Sequence, residues 1–145
     1  MEEVTVIKGE IFEDRRGQIA SVNNLSFDEI KRTYILHHPD TSIVRGWNGH
    51  KHERKWFYCH RGAFTLKLVA IDNWEKPGKD LKIDTFNLNS NTSEIICVPS
   101  GYASSIKAEI PDSILQVFSD KTFAEAIAEK DSYNFDSDYF KKSKP

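Results

Sequence analysis

Short apolar stretches, broken every six to ten residues by turn formers, run through most of this sequence. Val4 to Ile7 alternate and stop at Gly9, and Ile19 to Val22 follow the turn Asp14-Arg15-Arg16-Gly17. Thr33 to Leu36 lead into His37-His38-Pro39-Asp40, whose Pro and Asp predict a turn. Further strands are predicted over Ser42 to Trp47, Trp56 to His60, Ala63 to Ile71, Ile83 to Leu88, Glu94 to Val98, Ala103 to Ile110 and Ile114 to Ser119. Ala63 to Ile71 keeps a period of two after the tight turn Arg61-Gly62, whereas Asp72 to Asp80 is a polar loop around Pro77-Gly78. So many strands without alternating helices exclude βαβ units and predict an all-β sandwich or barrel.

One helix fits the pattern, over Phe123 to Lys130. Thr122 and Glu125 make a capping box ahead of Ala124, Ala126 and Ala128. Ser26 and Glu29 carry the same signal, but the β-rich Thr33-Tyr34-Ile35 follows too soon, and a turn is predicted there. A single domain is expected over 1–135. A polar tail over 136–145 is expected to fray, with Phe135 and Tyr139 able to pin its start.

Composition narrows the function. The chain has 145 residues, with 20 Lys and Arg against 22 Asp and Glu, so the basic field of a nucleic-acid binder is missing. No apolar run approaches the ~20 residues that span a bilayer, and the acidic Met1-Glu2-Glu3 differs from the basic start of a signal peptide. Cys59 and Cys97 lie in apolar segments, as buried thiols of a cytoplasmic protein would. Aromatic residues make up 12%, suited to barrel interiors or ring stacking.

The stretch from Arg45 to Gly62 is the most informative, with eight Arg, Lys or His side chains interleaved with rings. Alternation puts Lys55, Phe57 and Cys59 on one face and Trp56, Tyr58 and His60 on the other. Lys55 then shares a pocket wall with Arg45 or His50 if the strands pair suitably. Alternation also sets His50 and His52 on one face. A second fragment, Pro99-Ser100-Gly101-Tyr102-Ala103-Ser104, fits a turn near a barrel mouth.

In order and spacing, these fragments resemble the cupin motif pair of the branch containing dTDP-4-dehydrorhamnose 3,5-epimerase and the dTDP-sugar 3,4-ketoisomerases. Asp14, Arg16 and Gly17 match its early Asp-x-Arg-Gly. Arg45-Gly46-Trp47, with Asn48 at the His position and His50 two residues on, match its central motif. Lys55, seven residues before Gly62, and the Pro-x-Gly-aromatic-Ala run complete the match. The resemblance implies a cupin jelly roll (a double-stranded β-helix) with one short C-terminal helix. It further implies an isomerase of carbohydrate or cell-surface polysaccharide biosynthesis, moving a proton beside a keto group without metal or other cofactor. The implied ligand is an anionic nucleotide sugar, with no nucleic-acid or membrane partner. A homodimer that exchanges N-terminal strands is implied, so that Arg16 serves the partner's pocket.

The departures from that pattern are concentrated in the acid-base set. The branch's His base, Asp orienter and Tyr acid correspond to Asn48, Leu66 and Val117 or Phe118 here. His50 is then the imidazole available as base, Lys55 the oxyanion holder, and Tyr102 or Tyr58 the acid. Arg16, Arg45, Asn48, Trp47, Tyr58 and Ser104 are the expected ligand contacts. His50 as a rim hydrogen-bonder, and Trp47 as core packing, are the plainer alternatives. The cupin metal set is broken as well. His50-x-His52 survives, but Lys55, Trp56 and Phe57 fill the Glu positions and Ser104 the later His position. A non-catalytic nucleotide-sugar binder is the alternative function, and a structural domain with a vestigial pocket is the third.

Overall fold

The computed structural model describes residues 2–140. Among the described residues, twelve strands and one helix form two five-stranded antiparallel sheets and a separate hairpin. The first sheet runs β1 (Thr5–Lys8), β9 (Glu94–Val98), β6 (Lys55–Arg61), β11 (Ser113–Ser119), β4 (Arg32–His38). The second runs β12 (Tyr133–Asn134), β5 (Val44–His50), β10 (Tyr102–Ala108), β7 (Ala63–Ala70), β8 (Asp84–Asn89). Strands adjacent in sequence are thus often in different sheets, as in the expected jelly roll.

Between the sheets the period-two positions interdigitate. Phe57, Phe64, Leu66, Leu68, Leu88, Ile96, Leu115 and Val117 are all buried in one cluster. The outer faces carry apolar layers of their own. Trp56, Ile95 and Cys97 pack under Leu25, Ile30 and Phe118, while Trp47, Val69 and Ala103 pack under Trp74 and Phe140. This double covering is why rings occur at both parities of the Arg45–Gly62 stretch.

Helix α1 spans Phe123–Glu129, and both halves of the Thr122/Glu125 capping box form. Lys130 closes it in the left-handed region, at φ 50°. Ser26 caps only a turn, accepting from the Asp28 amide at 3.3 Å.

The expected boundaries need four corrections. β4 continues through His38, which is 2% exposed rather than in an open turn. Glu10–Asp14 is a strand, β2, paired with β3 (Gly17–Ser21) in a hairpin that belongs to neither sheet. Its sequence, Glu-Ile-Phe-Glu-Asp, lacks the period of two that marks the other strands. Tyr133–Asn134 adds to the edge of β5 opposite Gly49 and Asn48. The tail does not fray before Phe140, which is buried against Trp47 at a ring separation of 5.1 Å; the rest of the expected tail, 141–145, lies outside the described residues.

Candidate active site

A cavity of about 360 Å³ opens between the edges of the two sheets. Tyr34 and Leu36 of β4 and Lys55 and Phe57 of β6 form one wall. Arg45 and Asn48 of β5 and Ser104 and Ile106 of β10 form the other, with Asn134 of β12 at the rim. Because β6 alternates strictly, Lys55 and Phe57 turn inward while Trp56 and Tyr58 join the outer layer. Lys55 Nζ donates to the Tyr34 hydroxyl at 3.1 Å. Arg45 Nε donates to Nε2 of the buried His38 at 3.0 Å. Among the described residues, neither cation lies within ion-pair distance of a carboxylate.

His50 borders a small recess that shares Lys55, Phe57 and Ser104 with the cavity. Its Nδ1 lies 2.6 Å from the main-chain carbonyl oxygen of Asp131. A carbonyl only accepts, so Nδ1 carries the hydrogen and Nε2 holds a lone pair. That Nε2 is buried and has no protein partner. Burial first, and then Lys55, lower the basicity of His50 below the usual imidazole range. Glu53 and Asp131 pull the other way. The ring is therefore neutral at pH 7 and able to take a proton.

Asp131 fixes this corner with its side chain too. The carboxylate accepts the amides of Lys51, His52 and Glu53 at 2.6, 2.7 and 2.9 Å. Glu53, itself buried, takes Arg32 at 3.1 Å and the Ser119 hydroxyl, and its Oε1 lies 3.5 Å from His50 Nδ1.

Of the expected site residues, the structure gathers Arg45, Asn48, Lys55 and Ser104 at the cavity and His50 at the adjoining recess. Asn48 donates to Ser132 and Asn134, tying β12 to the rim. Tyr102 points inward at the recess, but its hydroxyl donates to the Glu2 carbonyl at 3.2 Å. Three others lie elsewhere. Trp47 faces the outer layer and gives its indole N–H to the Ser137 carbonyl. Tyr58 is on the other outer face, with Ser93. Arg16 stays on the hairpin, paired with Asp14 at 2.7 Å, away from its own chain's cavity. His52 is exposed in the bend after β5 and does not share a face with His50.

Sequence reasoning missed Tyr34, His38, Glu53 and Asp131. The alternation of Thr33 to Leu36 sets Tyr34 beside Leu36, a signal that was available; Asp131 had none. Of the two candidate acid positions, Val117 is the inward one, and Phe118 joins the outer layer. Val117 is registered directly opposite Tyr34 on β4, so a phenol stands at the expected level, one strand over.

Among the described residues, no three or more His, Cys, Asp or Glu side chains are arranged to hold a metal ion, and no helix is long and apolar enough to cross a membrane. Cys59 and Cys97 are free and buried, and burial pushes the Cys59 thiol up to about 11.

Comparison with known proteins agrees with this architecture. The family model described as FdtA, WxcM-like, C-terminal matches residues 2–144. No curated protein matches the sequence. Among solved structures, a variant of the 3,4-ketoisomerase QdtA from Thermoanaerobacterium thermosaccharolyticum, in complex with TDP-4-keto-6-deoxyglucose, superposes with a TM-score of 0.73 at 21% identity, over 97% of this chain and 93% of that one. A 3,4-ketoisomerase from Helicobacter canadensis gives 0.71 at 13% identity, over 97% and 96%. The dTDP-4-dehydrorhamnose 3,5-epimerase of Bacillus anthracis gives 0.74 at 13%, over 99% and 87%. At these identities the likeness establishes the cupin-like fold.

Proposed function

Because this chain belongs to the FdtA, WxcM-like C-terminal family, we propose that it is a cytoplasmic, metal-independent isomerase of nucleotide-linked keto sugars. One observation carries the reading. Arg45 and Lys55, from different sheets, converge on one cavity without a carboxylate partner, beside an imidazole whose Nε2 is unpartnered. Uncompensated positive charge in a concave site suits a ligand with a diphosphate and a developing oxyanion.

The chemistry then follows from the side chains. His50 Nε2 removes a proton from the carbon beside the keto group, and the C–H electron pair moves into the enolate. Lys55 Nζ holds the enolate oxygen, lowering the barrier most where negative charge builds. The hydroxyl of Tyr34, hydrogen-bonded to Lys55, is better placed than that of Tyr102 to return a proton. Return to the opposite face of the same carbon is epimerisation; return to the former carbonyl carbon, with the adjacent hydroxyl passing its proton to the enolate oxygen, is ketoisomerisation. Arg45 takes the phosphates, with Asn48 and Ser104 as polar contacts. Incubation with dTDP-4-keto-6-deoxyglucose in D₂O is expected to place deuterium at C3 or C5, or to yield a new isomer. If neither happens yet calorimetry shows tight TDP binding, the protein is a binder without turnover, the reading that apolar Leu66 and Val117 favour.

The hairpin completes the proposal. Phe12 and Ile19 are 58% and 62% exposed on it, with Arg16 at its tip. Such apolar area on a two-stranded arm suits burial against a second copy, which would take Arg16 to the partner's cavity. A dimer is expected by light scattering at micromolar concentration, and a clean monomer contradicts the arrangement.

A further inference from the structure

We infer that His38 is a positioning residue for Arg45: a neutral acceptor that aims the guanidinium at the cavity while leaving its charge uncancelled for an anion. The inference rests on the reading of the cavity as a nucleoside-diphosphate site and names what presents the phosphate-binding group.

The hydrogen bond fixes the protonation of the ring. Arginine has only donors, so Nε2 of His38, 3.0 Å from Arg45 Nε, must be the lone-pair nitrogen. The imidazole is therefore uncharged. Its environment maintains that state: burial first, then Arg45 and His37, make it less basic, against a smaller opposing effect of Asp40. The ring itself is immobilised. It is 2% exposed at the end of β4 and stands edge-on to Phe64 at 5.4 Å. Arg45, by contrast, is an exposed side chain that has no other anchor among the described residues.

The choice of partner matters because an anchor can cancel what it holds. Arg16, Arg32 and Arg54 all rest against carboxylates. A carboxylate in place of His38 would orient Arg45 equally well but neutralise it. Imidazole orients without neutralising, and engagement of Nε leaves the two terminal nitrogens as a fork for phosphate oxygens. Lys55 repeats the device, since its partner is the uncharged Tyr34 hydroxyl. Two cations from different sheets are thus both held by neutral acceptors at one cavity.

The test combines TDP calorimetry with NMR of the Arg45 Nε–H in His38→Gln, His38→Ala and His38→Asp. Gln can accept without charge, so His38→Gln is expected to bind TDP within about threefold of the parent. His38→Ala is expected to bind about tenfold more weakly, with fast exchange of the Arg45 Nε–H. His38→Asp is the discriminating variant, protecting that hydrogen yet binding at least about tenfold more weakly. Parent-like affinity in both His38→Ala and His38→Asp overturns the inference. Should the buried substitutions fail to fold, Arg45→Lys at the exposed position keeps the charge but loses the Nε–H; it is expected to cost about tenfold, and parent-like binding again overturns the inference. If the parent protein binds no TDP, the reading of the cavity falls. The Nε–H exchange pattern then decides the positioning role by itself, which stands only if protection is kept in His38→Gln and lost in His38→Ala.

Discussion

His50→Gln is expected to lower the rate of deuterium uptake from D₂O into a 4-keto nucleotide sugar by roughly 10²–10⁴-fold, with TDP affinity changed little. Glutamine keeps the size and a donor toward the Asp131 carbonyl, so the corner around Lys51 to Glu53 retains its anchoring. What it lacks is the Nε2 lone pair that takes the proton. The pH profile provides the second readout. Only the neutral imidazole acts as base, and burial and Lys55 hold the His50 pKa below its ordinary 6.5. Activity of the parent protein is therefore expected to be level from neutral pH to about 6.5 and to fall as pH drops through that depressed value. In His50→Gln the inflection should vanish along with the rate. A variant that exchanges as fast as the parent, or that keeps the same acid limb, removes His50 from the chemistry.

Gly62→Ala is expected to destabilise the fold by about 3 kcal/mol, the largest stability effect predicted here, and to lower Tm by about 10 °C. Gly62 turns the chain from β6 to β7 with φ +76°, where a Cβ is already unfavourable. Space makes matters worse, because an added Cβ would lie 2.0 Å from Ser113 Oγ and 3.1 Å from Ser113 Cα. Ser113 is fully buried, accepts the Ala63 amide at 3.1 Å and donates to the Ile110 carbonyl at 2.6 Å. Driving its hydroxyl away leaves buried polar groups unpaired, which is more costly than the turn strain. Gly17→Ala separates the two effects: it also has positive φ, but nothing lies within 4 Å of its Cβ position. Chemical denaturation of the two variants checks the ranking, and equal losses would assign the effect to backbone conformation rather than to the collision.

The fold was legible in the sequence because a jelly roll is written locally. Each strand shows period two, and turn formers mark most of its ends. β2 escaped because Glu10, Glu13 and Asp14 dominate a strand with no core to face. β12 escaped because two residues give no periodicity. Lys55 was legible for the same local reason, strict alternation on β6. Arg45 was placed by the motif match alone, because alternation on β5 groups it with outward-facing Trp47 and only the register shift opposite Ser104 and Ser105 turns it inward. The acid-base partners were not legible. A search at fixed motif positions finds Leu66 and Val117 and stops, whereas the fold sets the phenol of Tyr34 on β4 opposite Val117 and the Asp131 carbonyl against His50 Nδ1, the groups that the proposed mechanism uses as acid and orienter. Under that mechanism, cross-strand substitution preserves a position in space while abandoning it in sequence.

Asp131 has a consequence for the order in which the protein comes into being. The segment that sets the tautomer of His50 and gathers the three amides after it lies 81 residues downstream of that imidazole. Synthesis proceeds from the N-terminus, so every strand from β1 to β11 leaves the ribosome before the clamp does. A chain truncated just short of residue 131 therefore holds every strand of the first sheet and all but β12 of the second, yet its His50 lacks the clamp.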